Sequence, residues 1–325
     1  MKHLYIIGNG FDLHHHILSG YLDYRKWLEN HYPDVLYRIE NYFDNLSTPS
    51  EWNNFEQQLA EKDFYSYAVD VAHESMPDFS SDEFRDRDYH ASEINAEIDS
   101  LNICTDIKAT FLEWIDSLPN GNIQRKLILS MESRYFITFN YSLTLERMYN
   151  IPLKDILYIH GRQGDNQYVL GHGKNKGELQ SMSDMHYPEP PEEIAPEQYD
   201  EWYSEHGCDM FIEQAKDAAI RVIAEMKKDV DGIIQANQPA FSSLKDVQII
   251  HIYGFSFSPI DMPYLYEIAK NVDMKNVQWE ISYYSLGDKE KVEEFLAEFQ
   301  IPDTHFKLVK LDDLMESQLQ YKLDL

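Results

Sequence analysis

The chain has 325 residues, enough for one large domain with insertions or for two domains, and ample for a sizeable core. Hydrophobic residues are 43% and aromatics 14%, which excludes a disordered chain, and no apolar run reaches the about 18 residues of a membrane span. The formal net charge of −29 repels phosphate backbones and argues against broad nucleic-acid binding, although salt screens exposed charges beyond about 8 Å and a local basic patch stays compatible with it. The acid serves solubility or a basic partner. Two cysteines, Cys104 and Cys208, exclude a disulfide framework. With no basic N-terminal region and no signal-peptide core, the expected compartment is the cytoplasm.

In chain order, Leu4-Tyr5-Ile6-Ile7 reads as a buried strand, since β-branched and aromatic residues dominate and no period of 3.6 intrudes. Gly8-Asn9-Gly10 then allows a tight turn into a helix, the way a doubly wound α/β domain presents N–H groups to a phosphate. A third glycine at the dinucleotide-fingerprint spacing is missing. Gly20 to Trp27 continues as a helix, and Pro33 ends it or starts the next element. Residues 48–72 read as helical, with Ser50 as N-cap and Trp52, Phe55 and Leu59 as one stripe. Residues 76–100 read as an acidic loop entering a helix near Ala91–Leu101, and 105–118 as a second helix with Ala109, Leu112 and Ile115 inward. Pro119-Asn-Gly-Asn122 is a turn signal.

The β pattern returns at Tyr135–Phe139, followed by Asn140 and a short helix to Tyr149 that Ser142 can cap. Ile156–Ile159 is a further strand ending in His160-Gly161, and Tyr168–Leu170 another, ending in Gly171-His172-Gly173. Residues 175–206, with Pro188, Pro190, Pro191 and Pro196, read as an exposed acidic loop or lid. Residues 209–236 carry one long helical stripe through Phe211, Ala215, Ala219, Val222, Met226, Val230 and Ile233. Then come strand Val247–Tyr253, a helix from Pro259 to about Val272, strand Val277–Tyr284, helix Lys289–Phe299 and strand Phe306–Leu311. The fold class is thus α/β, a Rossmann-like, mostly parallel sheet with two large helical insertions. The core segments are 1–29, 126–174 and 246–325, and the insertions 30–125 and 175–245.

The strands end in glycine plus a small polar residue or histidine: Gly8, Asn9 and Asp12; Asn140; His160 and Gly161; Gly171, His172 and Gly173; Gly254, Ser256 and Asp261. Ligands of open α/β sheets sit beyond the carboxyl ends of the strands, so this clustering marks a site. Taken singly, Asn140 reads as a turn former and His160 as a satisfied histidine rather than a base.

These residues carry a resemblance. Ile6-Ile7-Gly8-Asn9-Gly10-Phe11-Asp12-Leu13 resembles the opening motif of the AbiH family of bacterial phage abortive-infection proteins. Trp52-Asn-Asn-Phe-Glu56, Phe136-Ile-Thr-Phe-Asn-Tyr-Ser-Leu-Thr-Leu-Glu146, Ile159-His-Gly161, Leu170-Gly-His-Gly173 and Ile252-Tyr-Gly-Phe-Ser256 with Asp261 are similar to its later motifs, in order. The family's Gly-Leu-Pro-Thr-Ser-Tyr continuation is replaced by His15-His16-Ile17-Leu18-Ser19-Gly20-Tyr21, which makes the chain divergent.

The motif order is also similar to that of sirtuin-like NAD-consuming domains, and Gly20-Tyr21-Leu22-Asp23-Tyr24-Arg25 echoes a sirtuin segment. That resemblance implies NAD as substrate. Asn140 would position water or the ribose, and His160 would be the general base. Gly8, Asn9, Gly10, Asp12, Asp23, His172, Gly254, Ser256 and Asp261 would bind the nucleotide. Ser142 stands where sirtuins carry an aspartate, and the lack of a zinc-binding four-cysteine set argues against a deacetylase of the usual build; no metal is expected. The reading is a phage-defence effector hydrolysing the nicotinamide–ribose bond. One alternative is a non-catalytic nucleotide-binding module acting through a protein partner. The other is a metal-dependent nuclease using Asp12, His14–His16 and His172, against which the charge argues, as does the fact that consecutive histidines on a helix cannot all face one site. Expected partners are a nucleotide and a protein or phage trigger, with a homo-oligomer left open.

Overall fold

The computed structural model describes every residue except 78–81, 83, 185–190, 192–193, 200–201, 203–209 and 316–325. Six strands form one parallel sheet: β1 (His3–Ile7), β2 (Arg134–Thr138), β3 (Ile156–Tyr158), β4 (Ile249–Tyr253), β5 (Gln278–Ser282) and β6 (Phe306–Val309). Their order is β3-β2-β1-β4-β5-β6, the doubly wound order in which the winding reverses between β1 and β4. The central strand, β1, is buried along its whole length, pairing Tyr5 with Phe136 of β2 and with His251 of β4. A parallel strand covered on both faces reads as a continuous apolar run, which is why its sequence shows no alternation.

The two faces have separate cores. Leu4, Ile6, Ile250, Ile252, Trp279 and Ile281 pack with the helices Met262–Asn271 and Leu286–Glu298. Tyr5, Ile7, Phe136 and Tyr253 pack with Leu127, Leu145 and Tyr149 on the other. Fully burying one such side chain contributes about 1.5–3 kcal/mol.

The chain divides into two compact units: Met1–Tyr24, Phe111–Val169 and Asp229–Leu325, which holds the sheet, and Arg25–Thr110 with Leu170–Lys228, which is helical. In the helical unit Ala68, Ala96, Ala215 and Ala218 meet, and their small side chains let the helices Phe64–Ser75, Ala91–Ser117 and Met210–Ala224 approach closely. The helices Val230–Ala236 and Gln238–Ser242 belong to the sheet unit.

Several elements differ from the sequence reading. Tyr168–Leu170 is no strand; near it only an isolated bridge joins His172 to Lys227. The two helices expected over 91–118 are one, Ala91–Ser117, with Ala109 exposed and Ile103, Ile107, Phe111 and Trp114 buried instead. The stretch 48–72 is broken after Gln58, and Asp63, not Ser50, caps a helix by accepting the Ser66 N–H. The helix over 209–236 stops at Ala224 and restarts at Val230, where Asp229 caps it. Pro259 lies in a turn, and Pro263 opens Met262–Asn271. Within 175–206 the described part includes the helix Lys176–Asp184, while Pro188 and Pro190, like Cys208, lie outside the described residues.

Candidate functional site at the carboxyl edge of the sheet

The first glycine turn is closed upon the loop after β4. Gly8 donates its N–H to Tyr253 O at 3.0 Å, and Gly10 to Gly254 O at 2.8 Å. A Cβ on Gly8 would stand 2.6 Å from the Gly254 carbonyl oxygen, and one on Gly10 2.8 Å from Gly254 Cα. Gly254 itself has φ +64, a region that an L side chain enters at a cost. These glycines bring two backbones into direct contact at the switch point of the sheet. The Gly8 and Gly10 N–H groups are engaged by the Tyr253 and Gly254 carbonyls, so what these glycines offer a ligand is close approach rather than those two donors. Asn9 and Ser256 are exposed beside them. Ser19 Oγ donates to Asn9 Oδ1 at 2.5 Å, and the Gly20 N–H to Asp23 Oδ2 at 3.2 Å, which fixes the segment 19–23 next to the turn.

Asp12 follows on the helix Asn9–His14 and is buried. Ser142 Oγ donates to its Oδ2 at 2.6 Å and Thr144 Oγ1 to its Oδ1 at 2.8 Å. Ser142 therefore ties the loop after β2 to the helix Asn9–His14, and the short helix Thr144–Arg147 starts without a side-chain cap. Burial pushes the Asp12 carboxyl up to about 6, against the two hydroxyls and the Asn140 amide, which favour the charged form.

Asn140 ends β2. It is buried, and neither its Nδ2 nor its Oδ1 has a hydrogen-bond partner among the described residues. Leaving a buried donor or acceptor unsatisfied costs about 1–3 kcal/mol each, so such a side chain wants an explanation.

His160, after β3, is also buried, with Nε2 3.7 Å from Asp261 Oδ1 of the loop after β4. Phe139, Tyr141 and Tyr264 surround its ring. At that distance the two side chains are within ion-pair range but longer than a hydrogen bond. Gly161 next to it has φ +86, and a Cβ there would meet the Gln167 carbonyl oxygen at 2.8 Å.

His172 is placed differently. It belongs to the helical unit, where its Nε2 bonds the Ile223 carbonyl at 2.9 Å and its Nδ1 accepts the Lys174 N–H at 3.2 Å. Both ring nitrogens are engaged in holding the chain. His15 is likewise internal: Nδ1 donates to Phe11 O at 2.6 Å, and Tyr149 OH meets Nε2 at 2.7 Å. His14 bonds the Arg125 carbonyl. Among the described residues no group of three or more His, Cys, Asp and Glu side chains is arranged to hold a metal ion, and no helix is long and apolar enough to cross a membrane.

The sequence reading named Asn140, His160, Asp12 and Asp261 but missed the hydroxyls of Ser142 and Thr144 and the pairing of Asp261 with His160. Its nearest signal was a carboxylate, Asp12, between apolar neighbours Phe11 and Leu13. Fold and site together define an α/β protein of Rossmann-like winding whose polar groups gather at the carboxyl edge of a parallel sheet. The chain belongs to the AbiH family: the family described as "Bacteriophage abortive infection AbiH" matches residues 4–283. Its role is thus in abortive phage infection. No curated protein matches the chain.

Proposed function

We propose that the chain is an abortive-infection effector that hydrolyses the nicotinamide–ribose bond of NAD. The observation that carries the reading is the buried amide of Asn140, which makes no hydrogen bond among the described residues and stands in sequence between Phe139 and Tyr141, whose rings flank His160, at the carboxyl edge where such sheets take nucleotides. Cleavage of this bond passes through an oxocarbenium-like centre, as in glycoside hydrolysis. Asn140 would hold the attacking water and a ribose hydroxyl, since an amide both donates and accepts. His160 would take the proton as water oxygen bonds to C1′ of the ribose and the C–N bond to nicotinamide breaks, with the Asp261 carboxylate 3.7 Å away to favour the imidazolium that forms. The products would be ADP-ribose, nicotinamide and a proton. Gly8, Gly10, Gly254 and Ser256 would line the dinucleotide. A phage trigger or protein partner would act through the helical unit. The alternative, a nucleotide-binding module without catalysis, draws on Ser142 standing where sirtuins carry an aspartate.

The test is NAD level in cells making this chain, with Asn140→Ala and His160→Ala beside it, before and after phage addition. NAD should fall only with the native chain, and purified His160→Ala should turn over about 10²–10⁴-fold more slowly. Steady NAD throughout, with protection intact, sinks the hydrolase reading and leaves the binding one.

A further inference from the structure

Away from the carboxyl edge, a row of polar side chains crosses the sheet. Ser130 Oγ, in the loop before β2, lies 3.2 Å from His3 Nε2 at the amino end of β1. His3 Nδ1 lies 2.9 Å from His251 Nε2 of β4, and His251 Nδ1 lies 3.0 Å from Glu280 Oε1 of β5. Both histidines are buried. Tyr253 OH also donates to Glu280, and Lys307 Nζ meets its other oxygen at 3.3 Å. Burial opposes ionisation of Glu280, but the bonds from His251 and Tyr253 outweigh it and hold the carboxyl down at about 2.

Hydrogen-bond chemistry then fixes the direction of the row. An ionised carboxylate only accepts, so His251 Nδ1 carries a proton and Nε2 of the neutral ring accepts. His3 Nδ1 therefore donates, which leaves His3 Nε2 as the acceptor for the Ser130 hydroxyl. Every bond points the same way, from Ser130 through two imidazoles to a carboxylate. Burial holds His3 below the ordinary histidine value, so its ring is neutral at physiological pH. The backbone of Ser130 is held too: its N–H donates to Tyr5 OH at 2.8 Å, and its carbonyl accepts from Arg134 Nη1 at 2.6 Å. Ser130 is half-buried and Met131 after it is 87% exposed, so the row reaches the surface at its serine end.

We propose that Ser130 is the nucleophile of a second, ester-hydrolysing site, with His3 as general base and His251 and Glu280 as positioning residues. A hydroxyl bonded to a base that a further group orients is the arrangement used for covalent acyl transfer. Ser130 Oγ bonds to the carbonyl carbon of the ester as its proton passes to His3 Nε2. The bond from that carbon to the alcohol oxygen breaks, and the alcohol leaves with the proton. Water then attacks the acyl-serine by the same route, releasing the acid and restoring the hydroxyl. Glu132 Oε2 lies 3.8 Å from His3 Nε2 and the chain carries a net −29, so an uncharged ester suits the place better than an anionic phosphate. The inference is independent of the NAD reading, whose groups lie at the opposite edge of the sheet.

The experiment treats the full chain with a fluorophosphonate, in which serine oxygen bonds to phosphorus and fluoride leaves, and locates the label by peptide mass spectrometry. The native chain should be labelled on Ser130, and Ser130→Ala should lose both that label and the turnover of p-nitrophenyl acetate. His3→Gln should slow labelling about 10²–10⁴-fold. Labelling of the native chain should rise with pH as His3 loses its proton; the charged and titratable groups facing His3 are His251, Glu132, Lys2 and Glu280. Glu280→Gln removes a charge that favours the protonated ring, so the midpoint should move to lower pH, which the loss of a merely structural bond would not do. That variant carries the test if His3→Gln does not fold. A native chain unlabelled at Ser130, ester turnover equal in Ser130→Ala, an unchanged rate in folded His3→Gln, or an unmoved midpoint in Glu280→Gln overturns the proposal.

Discussion

Gly254 and Gly164 both sit at positive φ, yet a side chain would fare differently at each. At Gly164, φ +91, an added Cβ meets nothing within 4 Å. Gly164→Ala should therefore cost only the backbone term, about 1–2 kcal/mol. At Gly254, φ +64, the same Cβ would collide with Phe11 N and Gly10 C, backbone atoms that cannot rotate away. Gly254→Ala should destabilise by clearly more, beyond about 3 kcal/mol, because two strand-end loops must separate. Denaturant midpoints of the two variants check this; equal shifts would mean that the crossing of the two loops is slack. At this scale the sequence displayed the glycines but not their partners, because Gly8, Gly10 and Gly254 meet only after the chain has folded across some 240 positions. The same separation hid the bonds that Ser142 and Thr144 make to Asp12.

Among elements, the helical unit is held by a charged node that joins two of the family-like motifs. Lys228 Nζ lies 2.8 Å from Glu56 Oε1, with only 1% of the lysine side chain exposed, and Gly171 directs its N–H to Glu56 at 3.4 Å. Glu56 closes Trp52-Asn-Asn-Phe-Glu56 and Gly171 opens Gly-His-Gly, so these motifs support the unit's backbone. Removing one partner of a buried pair leaves an uncompensated charge, so Lys228→Met should cost about 3–5 kcal/mol. Adding Glu56→Gln, which keeps an acceptor for Gly171, should restore part of that loss. A double variant no better than the single one would show that the charge of Glu56 is not what is left uncompensated. The sheet carries a comparable row: His251 of β4 bonds Glu280 of β5 at 3.0 Å, and Lys307 of β6 reaches Glu280 at 3.3 Å. Strands and most helices were legible from apolar runs and stripes. Their ends were not, since a helix such as Ala91–Ser117 continues wherever its buried face finds a neighbour.

For the whole molecule, two buried groups set opposing pH dependences. His15 is pushed from 6.5 down to about 4 by burial, so its contribution is fully present above pH 6.5 and is lost as pH falls through 4. Asp12 is pushed from 3.8 up to about 6, so its contribution is fully present below pH 3.8 and is lost as pH rises through 6. Between about pH 4 and 6 the unfolded chain binds one more proton at His15 and one fewer at Asp12, and the slopes cancel. Asp12→Asn removes one side of that balance. Relative to the native chain its stability should rise by about 1.4 kcal/mol per pH unit across this window, measured by denaturant unfolding at several pH values. Parallel curves for the two proteins would show that Asp12 is not protonated more readily in the folded state.

The sequence by itself determined the α/β class, the parallel sheet, the glycine turns and the family, because these rest on local pattern: apolar runs, backbone freedom and motif order. Tertiary structure alone decided which polar residues share a site. It took His172 into the helical unit, engaged the Gly8 and Gly10 N–H groups with the carbonyls at the end of β4, set Asp261 beside His160, and buried Asn140. The reason is physical: hydrogen bonds and burial depend on distances between segments far apart in the chain, and no local spacing encodes them.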